Sequence, residues 1–247
     1  MKNPEIKVLY EDHDLVIINK PSGMLSIPDR FNAELLNAYT LLKEKYPSIF
    51  IVHRIDKETS GILCFAKNAE AHKILNIAFE EGNVEKEYLA ICYSTPEINE
   101  GVINMPIAHS GKLDGKMVIH SKGKESVTKY KCIESWQKFS LIKLMPLTGR
   151  THQIRIHLAY LQCPIVGERL YHEFKPLTIT MLKPFAKINP EQEESLLMNR
   201  VALHASKLKF ELHGNFIQVE APMPKDMHAT LHQMRKCLKK YNTTFDS

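Results

Sequence analysis

The feature that most constrains the fold is a polar run of nine residues between two apolar segments. Residues 53–61 read HRIDKETSG, with the apolar stretch 49–52 before them and the apolar stretch 62–66 after them. Short apolar runs bounded by polar residues and glycine are typical of buried β-strands. The pattern therefore predicts two strands joined by a charged bend, with Asp56 held between them.

The remaining periodicities predict more strands than helices. Strands are predicted at 6–10, 15–19, 86–93, 126–134, 139–145, 206–212 and 216–221. Helices are predicted at 33–46, at 69–81, after a cap at Thr151, and at 224–240. Strands, helix and strands in this order favour an α+β fold, with a mixed, mainly antiparallel sheet and flanking helices.

The domain organisation follows from length and composition. The chain has 247 residues, of which 44% are hydrophobic, and no composition shift or linker divides it. A single domain over residues 1–247 is therefore predicted. Residues 173–200 are the least patterned part, with prolines and an acidic run, and we expect a surface excursion there.

The net charge and the absence of cofactor, metal and membrane motifs limit the classes of function that the chain can have. The formal net charge of +5 favours a polyanion such as RNA, although a mildly basic enzyme of another class fits equally well. No phosphate-binding glycine motif or metal-ligand spacing is present, so no cofactor and no metal are expected. The five scattered cysteines predict reduced thiols. Without an apolar span or signal peptide, we expect a cytoplasmic location, no membrane partner and, as the simpler case, a monomer.

Asp56 is the candidate reactive group. Arg54 shares a face with it in an extended segment, and a second polar insertion carries Arg150 and Arg155. A cation beside a buried aspartate keeps it ionised, which is the form that a nucleophile requires. The alternative is an ordinary turn aspartate bonded to nearby backbone, and spacing alone leaves both interpretations open.

Four ordered motifs resemble those of RluA-type RNA pseudouridine synthases. Residues 53–61 resemble the His-Arg-Leu-Asp-x-x-Thr-Ser-Gly signature, and residues 15–23 resemble the strand and Lys-Pro-x-Gly turn. Residues 86–90 resemble the tyrosine motif, and residues 147–158 with 164–168 resemble the third motif. The resemblance implies the pseudouridine synthase catalytic fold, RNA as partner and no cofactor.

The departures from the family pattern are small. Ile55 replaces a leucine, and Glu168 stands where the family commonly has aspartate, a change expected to affect only a turn. The strands are predicted to begin by residue 6, so an S4-like domain is not expected before them. Residues 24–30 resemble the short branch that lacks this domain and acts on transfer RNA and large-subunit (23S) ribosomal RNA.

The resemblance also implies roles for individual residues. Asp56 is the catalytic carboxylate, acting on the ribose carbon or its hydrogen, and Arg155 is the buried partner that keeps it ionised. Tyr88 stacks on the uracil and helps to remove the carbon 5 proton; its alternative is a core strand residue. Arg54 occupies or stabilises the space that the flipped nucleotide leaves in the RNA; its alternative is a surface ion pair. Phosphate contacts are expected from Lys20, Arg30, Lys57, Lys86 and Arg150.

Two other functions stay open at this level. The first is a non-catalytic RNA-binding or RNA-folding protein on the same scaffold, against which the intact Asp56, Tyr88 and Arg155 argue. The second is a glycosidase, which would need a second acid that the sequence does not offer at a matched position. Pseudouridine formation instead moves the uracil from a nitrogen bond to a carbon bond, with no net redox change and no hydrolysis.

Overall fold

The computed structural model describes residues 6–32, 34–111, 115–183 and 196–240, and its architecture is α+β. The first elements are β1 (Lys7–Glu11), β2 (Leu15–Lys20), α1 (Ala38–Lys43), β3 (Phe50–Ile51), β4 (Ser60–Ala66), α2 (Ala69–Glu80) and β5 (Glu85–Tyr93). Next come β6 (Glu100–Asn104), β7 (Ile107–His109), β8 (Met117–Ile119), β9 (Val127–Trp136), β10 (Phe139–Pro146) and α3 (Gln153–Tyr160). The last are β11 (Leu177–Thr178), α4 (Ile179–Leu182), β12 (Leu196–Met198), β13 (Leu203–Leu212), β14 (Asn215–Glu220) and α5 (Lys225–Cys237). The predicted class, with a mixed and mostly antiparallel sheet, is confirmed.

The chain divides into two compact units. The first contains residues 1–88 and 204–222, and the second contains residues 89–203 and 223–247. β5 begins in the first unit and continues into the second. The assignment of a single domain over residues 1–247 stays a prediction.

In the first unit the strands follow the order β1-β2-β4-β13, with β3 beside β4 and β14 beside β13. The β13–β4 pair is parallel, whereas the β1–β2, β2–β4 and β13–β14 pairs are antiparallel. Gly61 lies at the parallel pair with φ +111, and a Cβ there would overlap the backbone of Ala205. Only glycine fits this close approach, which directly follows the polar run.

Asparagine caps set the starts of both helices in this unit. The side chain of Asn68 accepts from the N–H of Ala71, and α2 matches its predicted range. Asn37 caps α1 in the same way by accepting from Thr40. The predicted helix at 33–46 is therefore shorter than expected, because the backbone of Asn37 is extended and bridges to Leu25.

In the second unit the strands follow the order β5-β10-β9-β6, and β7–β8 and β11–β12 form two-stranded sheets. The expected surface excursion at 173–200 stays a prediction, although both of its described ends contain buried apolar side chains. Leu177, Leu182 and Met198 are buried, and the hydroxyl of Thr230 in α5 donates to the carbonyl of Leu197 at 3.1 Å. Apolar side chains at these ends make them part of the unit's core, and the prolines and acidic run between them lie outside the described residues.

Among the described residues, no helix combines the length and the apolar content that crossing a bilayer requires. The same part of the chain contains no cluster of three metal-ligating side chains. All five cysteines are free, and four of them are buried.

Candidate active site

Asp56 lies in the loop between β3 and β4, and its neighbours hold the backbone in place. Ile55 is buried in the core of the first unit. The Ser26 hydroxyl donates to the carbonyl of Ile55 at 2.7 Å and accepts from its N–H at 3.1 Å. Beyond Asp56, the N–H of Thr59 donates to the Asp56 carbonyl at 3.1 Å. The half-buried carboxylate is thus presented from a hydrogen-bonded backbone, as a preorganised reactive group requires.

Lys20 supports the same loop from the side of β2. Its side chain is 0% exposed, and its ammonium donates to the carbonyls of Pro21, Met24 and Lys57 at 3.0, 2.7 and 3.1 Å. The N–H of Gly23 donates to the same Lys57 carbonyl at 2.8 Å. The predicted contact of Lys20 with phosphate is wrong, because a buried ammonium engaged with backbone carbonyls cannot reach RNA. Its role is to join the Lys-Pro-x-Gly turn to the loop of Asp56.

Replacing Lys20 with Met is expected to destabilise the protein without changing the salt dependence of RNA binding. Three backbone carbonyls lose a charged donor. That of Met24 is buried, and leaving it unsatisfied costs about 1–3 kcal/mol, whereas that of Lys57 keeps the N–H of Gly23. A phosphate contact would instead reduce the slope of log affinity against log salt by about one. Urea unfolding and RNA titrations at several salt concentrations measure both quantities. A stable variant with a reduced slope would contradict the structural role.

Tyr88, on β5, is half-buried and packs against the core that contains Ile55. Burial raises the pKa of the Tyr88 hydroxyl, and the negative charge of Asp56 raises it further. The ring therefore packs partly in the core, as the alternative interpretation expected, and also lies within electrostatic reach of Asp56. Its phenol stays protonated at neutral pH, so it can donate a hydrogen bond as well as offer a ring face.

His53 opens the loop as an uncharged, packed side chain. Its Nε2 accepts from the N–H of Cys64 at 3.0 Å, and its ring stacks on Phe79 at 4.7 Å between centroids. The ammonium of Lys86 lies 5.9 Å from the centroid of the same phenylalanine. Burial, and then the charge of Lys86, lower the pKa of His53 to about 3. Burial also lowers the pKa of Lys86, whose predicted contact with phosphate stays a prediction.

Stability is expected to fall in acid partly through His53. Its folded pKa of about 3 lies below the ordinary value of 6.5, so the unfolded chain takes up a proton that the folded protein refuses. The contribution of His53 to the free energy of unfolding is therefore fully present above pH 6.5. It is lost as the pH falls towards 3, at up to about 1.4 kcal/mol per pH unit.

The test compares urea unfolding of wild type, His53→Gln and the exposed control His232→Gln at about pH 7 and pH 4. His53→Gln should start less stable but lose about 3 kcal/mol less than wild type over this interval. The control should follow wild type. Parallel losses for all three proteins would show that His53 is not held neutral.

In the second unit, Arg155 is buried on α3 and paired with Glu168. Its Nε donates to Oε2 at 2.7 Å and its Nη2 donates to Oε1 at 2.8 Å, which is a bidentate pair. Glu168 also accepts from the N–H groups of Arg169 and Leu170 at 2.9 and 2.8 Å. Burial alone would raise the pKa of Glu168, but Arg155 and these N–H groups outweigh it and lower the pKa.

Tyr171 completes the surroundings of this pair. The guanidinium of Arg155 lies 5.5 Å from the centroid of its ring. The Tyr171 hydroxyl is 2.8 Å from Nδ1 of His152 and accepts from the N–H of Met117 at 3.1 Å. Arg155 is therefore held in a set geometry by groups of its own unit, and its expected pairing with Asp56 stays a prediction.

The start of α3 differs from its prediction. His152, not Thr151, occupies the cap position, with φ 55 and no side-chain cap bond. Gln153 supports the turn instead, because its side-chain oxygen accepts from the Thr148 hydroxyl at 2.8 Å and from the Arg150 N–H at 2.9 Å. This arrangement fixes the backbone on which Arg150 is exposed.

Four of the predicted RNA contacts are exposed side chains: Arg30, Arg54, Lys57 and Arg150. Their roles stay predictions. The pairing of Glu168 with Arg155 was not predicted from the sequence, which assigned Glu168 only to a turn. The only available signal was the acidic residue at that position of the third motif.

Known proteins resemble this chain in sequence and in overall fold. The model of a family described as RNA pseudouridylate synthase matches residues 14–160. Ribosomal large subunit pseudouridine synthase D of Blochmanniella floridana is 36% identical, over 97% of this chain and 75% of that protein. Dual-specificity RNA pseudouridine synthase RluA of Vibrio cholerae is 34% identical, over 85% of this chain and 78% of that protein. Human RNA pseudouridylate synthase domain containing 4 superposes with a TM-score of 0.72 at 26% identity, covering 94% of each chain.

Proposed function

The chain belongs to the RNA pseudouridylate synthase family, and from this premise we propose that Asp56 is the carboxylate with which it isomerises uridine in RNA. The protein is an isomerase that converts uridine in RNA to pseudouridine. The observation that supports Asp56 most directly is its loop, in which Ser26 holds the preceding residue and Thr59 binds the carbonyl of Asp56 itself.

In the proposed reaction Asp56 and Tyr88 have different roles. Ionised Asp56 acts on the ribose and the glycosidic bond breaks, after which the uracil turns and bonds through carbon 5. Tyr88 stacks on the detached base and keeps it in place, and its protonated phenol can donate to the base. The new bond at carbon 5 leaves Asp56 in its carboxylate form again, and the carbon 5 proton passes to water. This role is supported by the electrostatic interaction of Tyr88 with Asp56 in the first unit.

Arg155 is proposed as the cation that keeps Asp56 ionised during the reaction. Its bidentate bonds to Glu168 support this role, because they fix the orientation of the guanidinium before RNA binds. A cation held beside a carboxylate lowers its pKa and so keeps it in the ionised form that reacts.

For the substrate we propose large-subunit ribosomal RNA first, because a relative over 97% of this chain bears that name. Transfer RNA is the second candidate. The protein is incubated separately with unmodified transcripts of each RNA, which are then digested to nucleosides and analysed by mass spectrometry. Pseudouridine in ribosomal RNA without free uracil is the expected result. Free uracil would instead support hydrolysis, and RNA binding without either product would support the non-catalytic alternative.

A further inference from the structure

The loop that joins β2 to α1 carries an aromatic side chain that is almost fully exposed. Phe31 is 90% exposed, and it is the most exposed of the large apolar side chains in the described part of the chain. Leu35 and Leu36, on the returning part of the same loop, are also exposed. Exposed apolar groups gathered on one loop are a common sign of a binding surface.

Hydrogen bonds hold the described residues of this loop in a defined arrangement. The carboxylate of Asp29 accepts from the N–H groups of Phe31 and Asn32 at 2.9 and 3.0 Å, which forms the tip. The ends are joined where the N–H of Leu25 donates to the carbonyl of Leu36 at 3.3 Å. The aromatic ring is therefore displayed by a closed turn.

The loop begins next to the proposed catalytic residue. Ser26, at its start, makes the two hydrogen bonds with Ile55, the residue before Asp56. Both loops lie in the first unit and share this junction. RNA that brings a uridine to Asp56 would therefore bind the same unit that displays Phe31.

The charge of the loop decides which part of RNA it can bind. Arg30 is accompanied by Asp29 and Glu34, so the loop is not a positive surface that would attract phosphates. Its distinctive group is the ring. Unpaired bases stack on exposed aromatic side chains, and each stack contributes about 1–3 kcal/mol to binding, whichever base is present.

We propose that Phe31 stacks on an unpaired base of the RNA substrate close to the uridine that is isomerised. The inference rests on the proposed function and adds a substrate-binding residue that has no part in the chemistry. Because the side chain is almost fully exposed, substitutions there leave the core of the first unit intact.

The test measures kcat and KM for wild type, Phe31→Ala, Phe31→Leu and Phe31→Trp on the transcript that wild type modifies. The alanine and leucine variants should raise KM about tenfold or more with kcat little changed, and the tryptophan variant should resemble wild type. Phe216→Ala is the matched control, because Phe216 on β14 is also exposed, at 74%. It should leave both constants unchanged.

Salt dependence separates stacking from charge. Phe31→Ala should weaken RNA binding without changing the slope of log affinity against log salt, since no phosphate contact is lost. A reduced slope in Phe31→Ala would contradict stacking as the source of the lost affinity.

Three outcomes would overturn the inference. The first is an unchanged KM in Phe31→Ala, and the second is a leucine variant as good as wild type, which would show that the aromatic ring is not needed. The third is a raised KM in Phe31→Ala that is accompanied by a changed oligomeric state, measured by sedimentation; this would assign the loop to protein contact. Failure of the proposed function would look different, because wild type itself would then form no pseudouridine.

Discussion

Replacing Asp56 with Asn is expected to abolish pseudouridine formation and leave RNA binding intact. The amide is nearly the same size as the carboxylate, but it can neither attack carbon nor accept a proton. Loss of a reactive carboxylate of this kind lowers kcat by a factor on the order of 10⁴ or more. The backbone bonds of the loop do not involve the replaced side chain, so the fold should persist. Single-turnover assays with excess enzyme, together with RNA titration, measure the two effects.

Glu58→Gln is the matched control for this experiment. It removes one negative charge from the same loop, two positions further on, at a side chain that is also half-buried. Turnover should stay close to that of wild type. Equal losses in both variants would show that the loop needs its negative charge in general, and Asp56 would then have no special role.

Replacing Arg155 with Ala is expected to remove activity almost as completely as the loss of Asp56, and also to destabilise the fold. The Glu168 side chain is 0% exposed, so the variant leaves a buried carboxylate without its main partner. Breaking a buried pair from one side costs about 3–5 kcal/mol. Urea unfolding measures this cost, and pseudouridine formation under conditions where the variant is still folded measures the activity.

A double variant separates the loss of activity from the loss of stability. Arg155→Met with Glu168→Leu removes both charges and fills the site with apolar side chains, which often restores the stability lost in the single variant. Activity should stay absent, because Asp56 would still lack the proposed cation. A stable and active double variant would show that Arg155 serves only Glu168 and was misassigned to catalysis.

The sequence predicted the elements whose pattern is local and long. α2 and the longer strands follow from apolar periodicity over many residues, and the Asp56 loop follows from a polar run between two such segments. β11 (Leu177–Thr178) has only two residues and β7 (Ile107–His109) has three, too few to show a period. α1 was overestimated because the cap bond of Asn37, not the apolar spacing, decides where it begins.

Contacts between distant residues limited the prediction of the site. Lys20 resembles a surface lysine at the end of a strand, and only the folded turn brings a carbonyl 37 positions away to its ammonium. Likewise, the separation of 13 positions between Arg155 and Glu168 gives no spacing rule that would pair them. The residue types of the motifs predicted the chemistry, whereas the supporting hydrogen bonds required the fold.

The most direct test of Asp56 as the isomerising carboxylate is the release of tritium from RNA labelled at carbon 5 of uracil. Pseudouridine formation must expel that hydrogen, because carbon 5 becomes the site of the new bond to ribose. Wild type and Glu58→Gln should release tritium to water, and Asp56→Asn should release none while still binding the RNA. Release by Asp56→Asn at the rate of wild type would contradict the central claim.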